Sequence, residues 1–88
     1  MKVIKVGATW CKGCKIMGPV WKEIEKEQPW LETEYISVDE NPETMNEYKI
    51  LSLPCFIFLD ENGEEFLRLS GEIEKEKLIE IVLENRDR

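Results

Sequence analysis

The run Cys55–Leu59 is almost wholly apolar, and it limits the folds open to this chain more than any other feature. A strand with one face in water alternates apolar and polar residues, whereas a continuously apolar strand needs cover on both faces. Pro54 before the run and Asn62-Gly63 after it, a pair favoured in tight hairpin turns, bound a short strand. The sequence therefore predicts a sheet with helices on both faces.

The remaining segments alternate between strand and helix patterns. Strand patterns cover residues 2–8, 34–38, 55–59 and 64–69, and helical patterns cover about 11–27, 41–48 and 73–84. The order βαβαββα predicts an α/β three-layer sandwich around a four-stranded mixed sheet, with a parallel first pair and an antiparallel last hairpin. At 88 residues, without repeats or linkers, the chain is expected to form one domain, 1–88.

Two prolines bear on the predicted helices. Asn41 before Pro42 is typical of an N-cap followed by proline at the first helical position, which predicts a short helix ending near Tyr48. Pro19 lies inside the first helix and should kink it.

Charge and composition narrow the choice of partners. The formal net charge is −7, which disfavours nucleic acid and anionic membranes, and leaves proteins or small thiols. No apolar run approaches the ~20 residues of a membrane-spanning helix. The first six residues lead directly into a strand pattern without the features of a secretory signal, so we expect a cytoplasmic protein.

The chemistry is expected at Cys11 and Cys14, which follow the first strand and open the first helix. A spacing of three residues on a helix places two thiols on one face, within reach of a disulfide. Cys11 lies nearer the helix N-terminus, where free N–H groups stabilise a thiolate, so it is the expected nucleophile. Cys14 is then the resolving thiol.

Two other classes of function stay open at this point. Cys11, Cys14 and Cys55 could bind zinc or an iron-sulfur cluster, with a carboxylate or a second chain completing the ligand set. Alternatively, the thiols could be vestiges in an interaction module. The chain has three cysteines, an odd number, so a fully paired disulfide framework within one chain is excluded. It has no histidine, the commonest metal ligand.

The sequence resembles the thioredoxin family along nearly its whole length. Trp10, Cys11, Cys14 and Lys15 match the Trp-Cys-Gly-Pro-Cys-Lys motif of that family. Further matches are the helix proline Pro19, the segments 39–42 and 62–64, and Gly71 before the last helix.

This resemblance implies a dithiol enzyme that reduces protein disulfides, works as a monomer without a bound cofactor or metal, and is recycled by a thioredoxin-reductase-like electron donor. Leu53-Pro54 matches the cis-proline loop, which faces the redox pair and receives the substrate backbone. The expected substrate-binding residues are Trp10, Lys12, Gly13, Leu53 and Pro54. A glutaredoxin-like enzyme that uses glutathione is the alternative within the redox class.

Departures from the family pattern raise further questions. We expect a four-stranded sheet without the N-terminal strand and helix of typical thioredoxins, and Lys12-Gly13 replaces Gly-Pro between the cysteines. Lys5 occupies the place of the buried aspartate, so it must point away from the site, act as a neutral amine, or leave the proton to water. Tyr35 occupies the position at which the family has a lysine on the neighbouring strand, so the charge pair of that lysine with the aspartate is missing too. Cys55, where the family has threonine, is either an accessory thiol or a packing residue.

Overall fold

The computed structural model describes all residues, 1–88, and confirms the predicted fold class and element order. The elements are β1 (Lys2–Gly7), α1 (Lys12–Glu27), β2 (Glu32–Ser37), α2 (Thr44–Glu47), β3 (Cys55–Leu59), β4 (Glu65–Ser70) and α3 (Lys75–Glu84). The four strands lie in the order β2-β1-β3-β4. β1 runs parallel to β2 and antiparallel to β3, and β3 runs antiparallel to β4.

Strand β3 contributes to a core on each face of the sheet, as its apolar run predicts. Phe56 and Phe58 pack with Trp21 of α1 in one cluster, which α3 also covers. Cys55 and Ile57 point to the opposite face and belong to a second cluster. The thiol pair lies at the end of the sheet where the chain passes from β1 into α1.

Helix α1 is held by an apolar stripe that faces the sheet. Met17, Trp21 and Ile24 are buried at spacings of four and three residues, which is the spacing of one helical face. The Trp21 ring lies 5.3 Å from Phe56 and 6.3 Å from Phe58, centroid to centroid and tilted, a favourable aromatic geometry. Pro19 lies inside the helix.

The second helix differs from its prediction. It begins at Thr44, with Glu43 as its N-cap, so the prediction of Asn41 as the N-cap is wrong. The Asn41 side-chain amide instead donates to the carbonyl of Ser37 over 3.2 Å, and the Asn41 carbonyl accepts from Thr44 N–H over 3.0 Å in a turn. Asn41 therefore stabilises the turns that follow β2 instead of capping the helix. The helix starts two residues after Pro42.

Strand β4 is tied to the loop that precedes β3. The guanidinium of Arg68 donates to the backbone carbonyl of Tyr48 over 2.5 Å, and it makes two hydrogen bonds to the Glu65 carboxylate. Beyond β4, the N–H of Gly71 donates to the carbonyl of Pro54 over 2.9 Å. The loop that ends at Pro54 is thus fixed near both of its ends. None of the helices has the length and apolar character that crossing a bilayer demands.

Candidate active site

The two thiols meet at the first turn of α1. Cys11 is the N-cap residue, with extended backbone angles (φ −90°, ψ 113°), and Cys14 follows in the first turn. They are joined as a disulfide with Cα atoms 5.3 Å apart. The Cys14 N–H donates to the Cys11 sulfur over 3.1 Å. A helix N-terminus stabilises negative charge, so this contact favours a thiolate at Cys11 when the pair is reduced.

The proline loop, Leu53–Pro54, lies directly against residues 11–14, which we call the thiol turn. A Cβ atom at Gly13 would lie 3.0 Å from Pro54 Cδ and 3.6 Å from Glu72 Cγ, so its contact with the proline would be closer than most Cβ contacts in proteins. Glycine at position 13 therefore permits the approach of the two segments. The Leu53–Pro54 peptide bond is cis. Trp10 and Lys12 are exposed, and Leu53 is half-buried.

Lys5 points along α1 rather than toward the thiols. Its Nζ lies 2.5 Å from Oε2 of Glu25, and its side chain is 16% exposed against 30% for Glu25. Glu25 is eleven residues beyond Cys14, which corresponds to about three helical turns. The stem of Lys5 lines a cavity of about 50 Å³ that also borders Cys14 and Tyr35. Of the three possibilities for Lys5, the structure shows the one in which its charge is directed away from the thiols.

Cys55 is the one free cysteine, and it is buried. Desolvation raises the pKa of its thiol above 9.0, which disfavours the reactive thiolate. It belongs to the same apolar cluster as Cys11, on the face of the sheet opposite Lys5. The structure contains no group of three or more histidine, cysteine or acidic side chains placed to hold a metal ion, so it does not assemble the three-cysteine site.

Two features near the site were not predicted from the sequence: the contact of Asp39 with Thr9, and the exposure of Leu51. Oδ2 of Asp39 accepts the Thr9 N–H over 2.7 Å and the Thr9 hydroxyl over 3.0 Å, which fixes the loop before Trp10. The Thr9 backbone hydrogen bond lowers the pKa of Asp39 below 3.8. Leu51, just before the proline loop, is 98% exposed. The position of Asp39 directly after β2 was a usable signal, whereas the sequence offers none for Leu51.

A disulfide at a helix N-terminus, faced by a proline loop on a four-stranded α/β fold, defines a thiol-disulfide oxidoreductase. The Thioredoxin family model matches residues 1–84. The chain therefore belongs to the thioredoxin family, and the resemblance drawn from its motifs is confirmed.

Individual relatives agree with this assignment. The thioredoxin of Listeria monocytogenes is 36% identical over 76 residues, which is 85% of this chain and 73% of that protein. The X-ray structure of Fasciola hepatica thioredoxin superposes with a TM-score of 0.84 at 31% identity, covering 96% of this chain and 79% of the other. A bifunctional thioredoxin reductase/thioredoxin of Mycobacterium leprae is 40% identical over 65 residues, 73% of this chain and 14% of that protein.

Proposed function

We propose that this enzyme reduces protein disulfides, with Cys11 as the nucleophile and Cys14 as the resolving thiol. The observation that carries the proposal is the hydrogen bond from the Cys14 N–H to the Cys11 sulfur at the start of α1. That contact supports the thiolate of Cys11, because the peptide N–H groups of a first helical turn are free to stabilise negative charge. Cys14 lies within disulfide distance of it.

The cycle has two exchange steps. The Cys11 thiolate attacks one sulfur of the substrate disulfide, and the other substrate sulfur leaves as a thiolate and takes a proton from solvent. Cys14 then loses its proton and attacks the Cys11 sulfur. The bond between Cys11 and the substrate breaks, and the second substrate sulfur leaves reduced. The substrate has gained two electrons, and the Cys11–Cys14 disulfide has formed.

The proposed docking surface lies on both sides of the thiol turn. Trp10, Lys12 and Gly13 form one side, and Leu53 and Pro54 form the other. The close approach of Gly13 to Pro54 supports this arrangement, since it brings the two sides together beside the reactive sulfur. An extended substrate segment would lie along the proline loop.

We further propose that residues 1–88 act as one domain, as a monomer in the cytoplasm, with no bound cofactor or metal. The dithiol pair supports the proposal on cofactors, because it supplies both of the electrons that the substrate gains, and the Cys11–Cys14 disulfide takes two back from the donor. A thioredoxin-reductase-like enzyme would restore the dithiol. The relative that joins a reductase to a thioredoxin in one chain supports this choice of electron donor over glutathione.

The test uses a peptide disulfide that joins a fluorophore to a quencher, with the reduced protein supplied in excess. Cys11→Ser should abolish fluorescence release. Cys14→Ser should cleave one substrate molecule per protein and keep one half of that substrate linked to Cys11 as a mixed disulfide, which mass spectrometry detects. Cys55→Ala is the matched control and should keep the wild-type rate. Full activity of Cys11→Ser would overturn the proposal.

A further inference from the structure

Gly7, the last residue of β1, leaves a gap between two polar groups. A Cβ atom there would lie 3.0 Å from the Cys14 sulfur and 3.1 Å from the Tyr35 hydroxyl oxygen. The sulfur and the hydroxyl oxygen are therefore no more than about 6 Å apart, a gap that one water spans with two hydrogen bonds of about 2.8 Å. The missing side chain of Gly7 keeps this gap open.

The sheet register brings Tyr35 to this position. Tyr35 on β2 is the pairing partner of Lys5 on β1, and Phe56 on β3 is its partner on the other side. These three residues share one face of the sheet, beneath α1. Tyr35 lies on an edge strand and is 57% exposed, so its hydroxyl can contact both solvent and the cavity beneath Cys14.

Among the titratable side chains that line the cavity, only Tyr35 places a polar atom beside Cys14. Helix α1 contributes Cys14 itself, and Glu25 beyond the cavity holds the ammonium of Lys5 from β1. The side of β3 contributes Pro54 and Phe56, which carry no charge. Tyr35 of β2 is thus the titratable side chain whose polar atom borders the Cys14 sulfur.

We propose that the Tyr35 hydroxyl donates a hydrogen bond, directly or through one water, to the Cys14 thiolate as it forms, and so assists the resolving step. This inference rests on the function proposed above. The proton of Cys14 leaves to solvent through the cavity opening beside Tyr35. The Cys14 electron pair then forms the new bond to Cys11, and the pair of the broken bond leaves with the substrate sulfur.

Stopped-flow reaction of the reduced protein with 5,5′-dithiobis(2-nitrobenzoate) separates the two steps. Attack by Cys11 releases one chromophore in a second-order phase, and attack by Cys14 releases the other in a first-order phase. Tyr35→Phe should slow the first-order phase roughly tenfold at neutral pH, as expected for loss of a hydrogen bond to a charged group. It should also move the pH midpoint of that phase upward and leave the second-order phase unchanged.

Two further variants complete the test. Tyr48→Phe is the matched control, because Tyr48 packs on the opposite face of the sheet, and both phases should keep wild-type rates. Gly7→Ala places a methyl group in the gap and should slow the first-order phase as Tyr35→Phe does. An unchanged first-order phase and pH midpoint in Tyr35→Phe would overturn the inference, as would equal slowing of both phases. A wild-type protein with no first-order phase would instead refute the proposed function.

Discussion

The ion pair between Lys5 and Glu25 is expected to be asymmetric in its effect on stability. Lys5 extends from the centre of the sheet under α1 with 16% of its side chain exposed, whereas Glu25 is 30% exposed. Glu25→Leu leaves the more buried charge without its partner. Lys5→Met keeps the apolar stem and leaves only the carboxylate, which water can reach. The two single variants should therefore differ, although each removes the same contact.

The burial of each group sets the expected magnitudes. A fully buried ion pair that loses one partner costs about 3–5 kcal/mol, and a buried unsatisfied polar group costs about 1–3 kcal/mol. Because Lys5 keeps some contact with water, Glu25→Leu should cost about 1–3 kcal/mol, or roughly 4–24 °C in Tm for a domain of this size. Lys5→Met should cost about 0–1 kcal/mol, in the range of exposed pairs.

Urea unfolding of the oxidised protein measures these differences in a double-mutant cycle. The variant Lys5→Met/Glu25→Leu should regain most of the stability that Glu25→Leu loses, since no unpaired charge is left. Glu34→Leu, which removes the partner of the more exposed Lys2, is the control and should change little. Equal losses in the two single variants, added together in the double variant, would refute the reasoning.

Three other predictions concern the surroundings of the thiols. The hydrogen bonds from Thr9 lower the pKa of Asp39, so its stabilising effect should be present above pH 3.8 and be lost at lower pH; Asp39→Ala should flatten the acid side of the pH-stability curve measured by urea unfolding. Burial raises the pKa of Cys55, so the protein should lose stability relative to Cys55→Ala as pH rises above 9.0, measured in the same way. Leu51→Ser should change the free energy of unfolding by less than about 0.5 kcal/mol. It should raise KM for a protein disulfide and leave the rate of reaction with a small aromatic disulfide unchanged.

The sequence predicts the centre of the sheet better than its edges, for a physical reason. β3 is covered on both faces, so almost every residue in it must be apolar, and its bounds agree with the prediction. β2 is an edge strand whose first residue, Glu32, is exposed and pairs only with Lys2. A polar edge residue gives no periodic signal, so the strand begins two residues before its predicted start at 34.

The thiol pair and the proline loop are readable from the sequence because each depends on a short motif. The proximity of Tyr35 to Cys14 is not readable, since it depends on the β1–β2 register and on the missing side chain at Gly7. The pairing of Lys5 with Glu25 likewise follows from how far along α1 the strand places the lysine stem. Such contacts arise from the packing of elements that are distant in the chain.

The contacts that hold the proline loop imply that the two sides of the proposed docking surface rest on different supports. The thiol turn belongs to the start of α1, but Arg68 and Gly71 attach the loop that ends at Pro54 to β4 and to the segment after it. The spacing between the two sides of the proposed docking surface therefore depends on how firmly the edge strand β4 stays in the sheet. Fraying of β4 should move the two sides apart and weaken substrate docking while the thiols keep their chemistry. Arg68, although distant from the cysteines in the sequence, would then influence the affinity of the enzyme for its protein substrates.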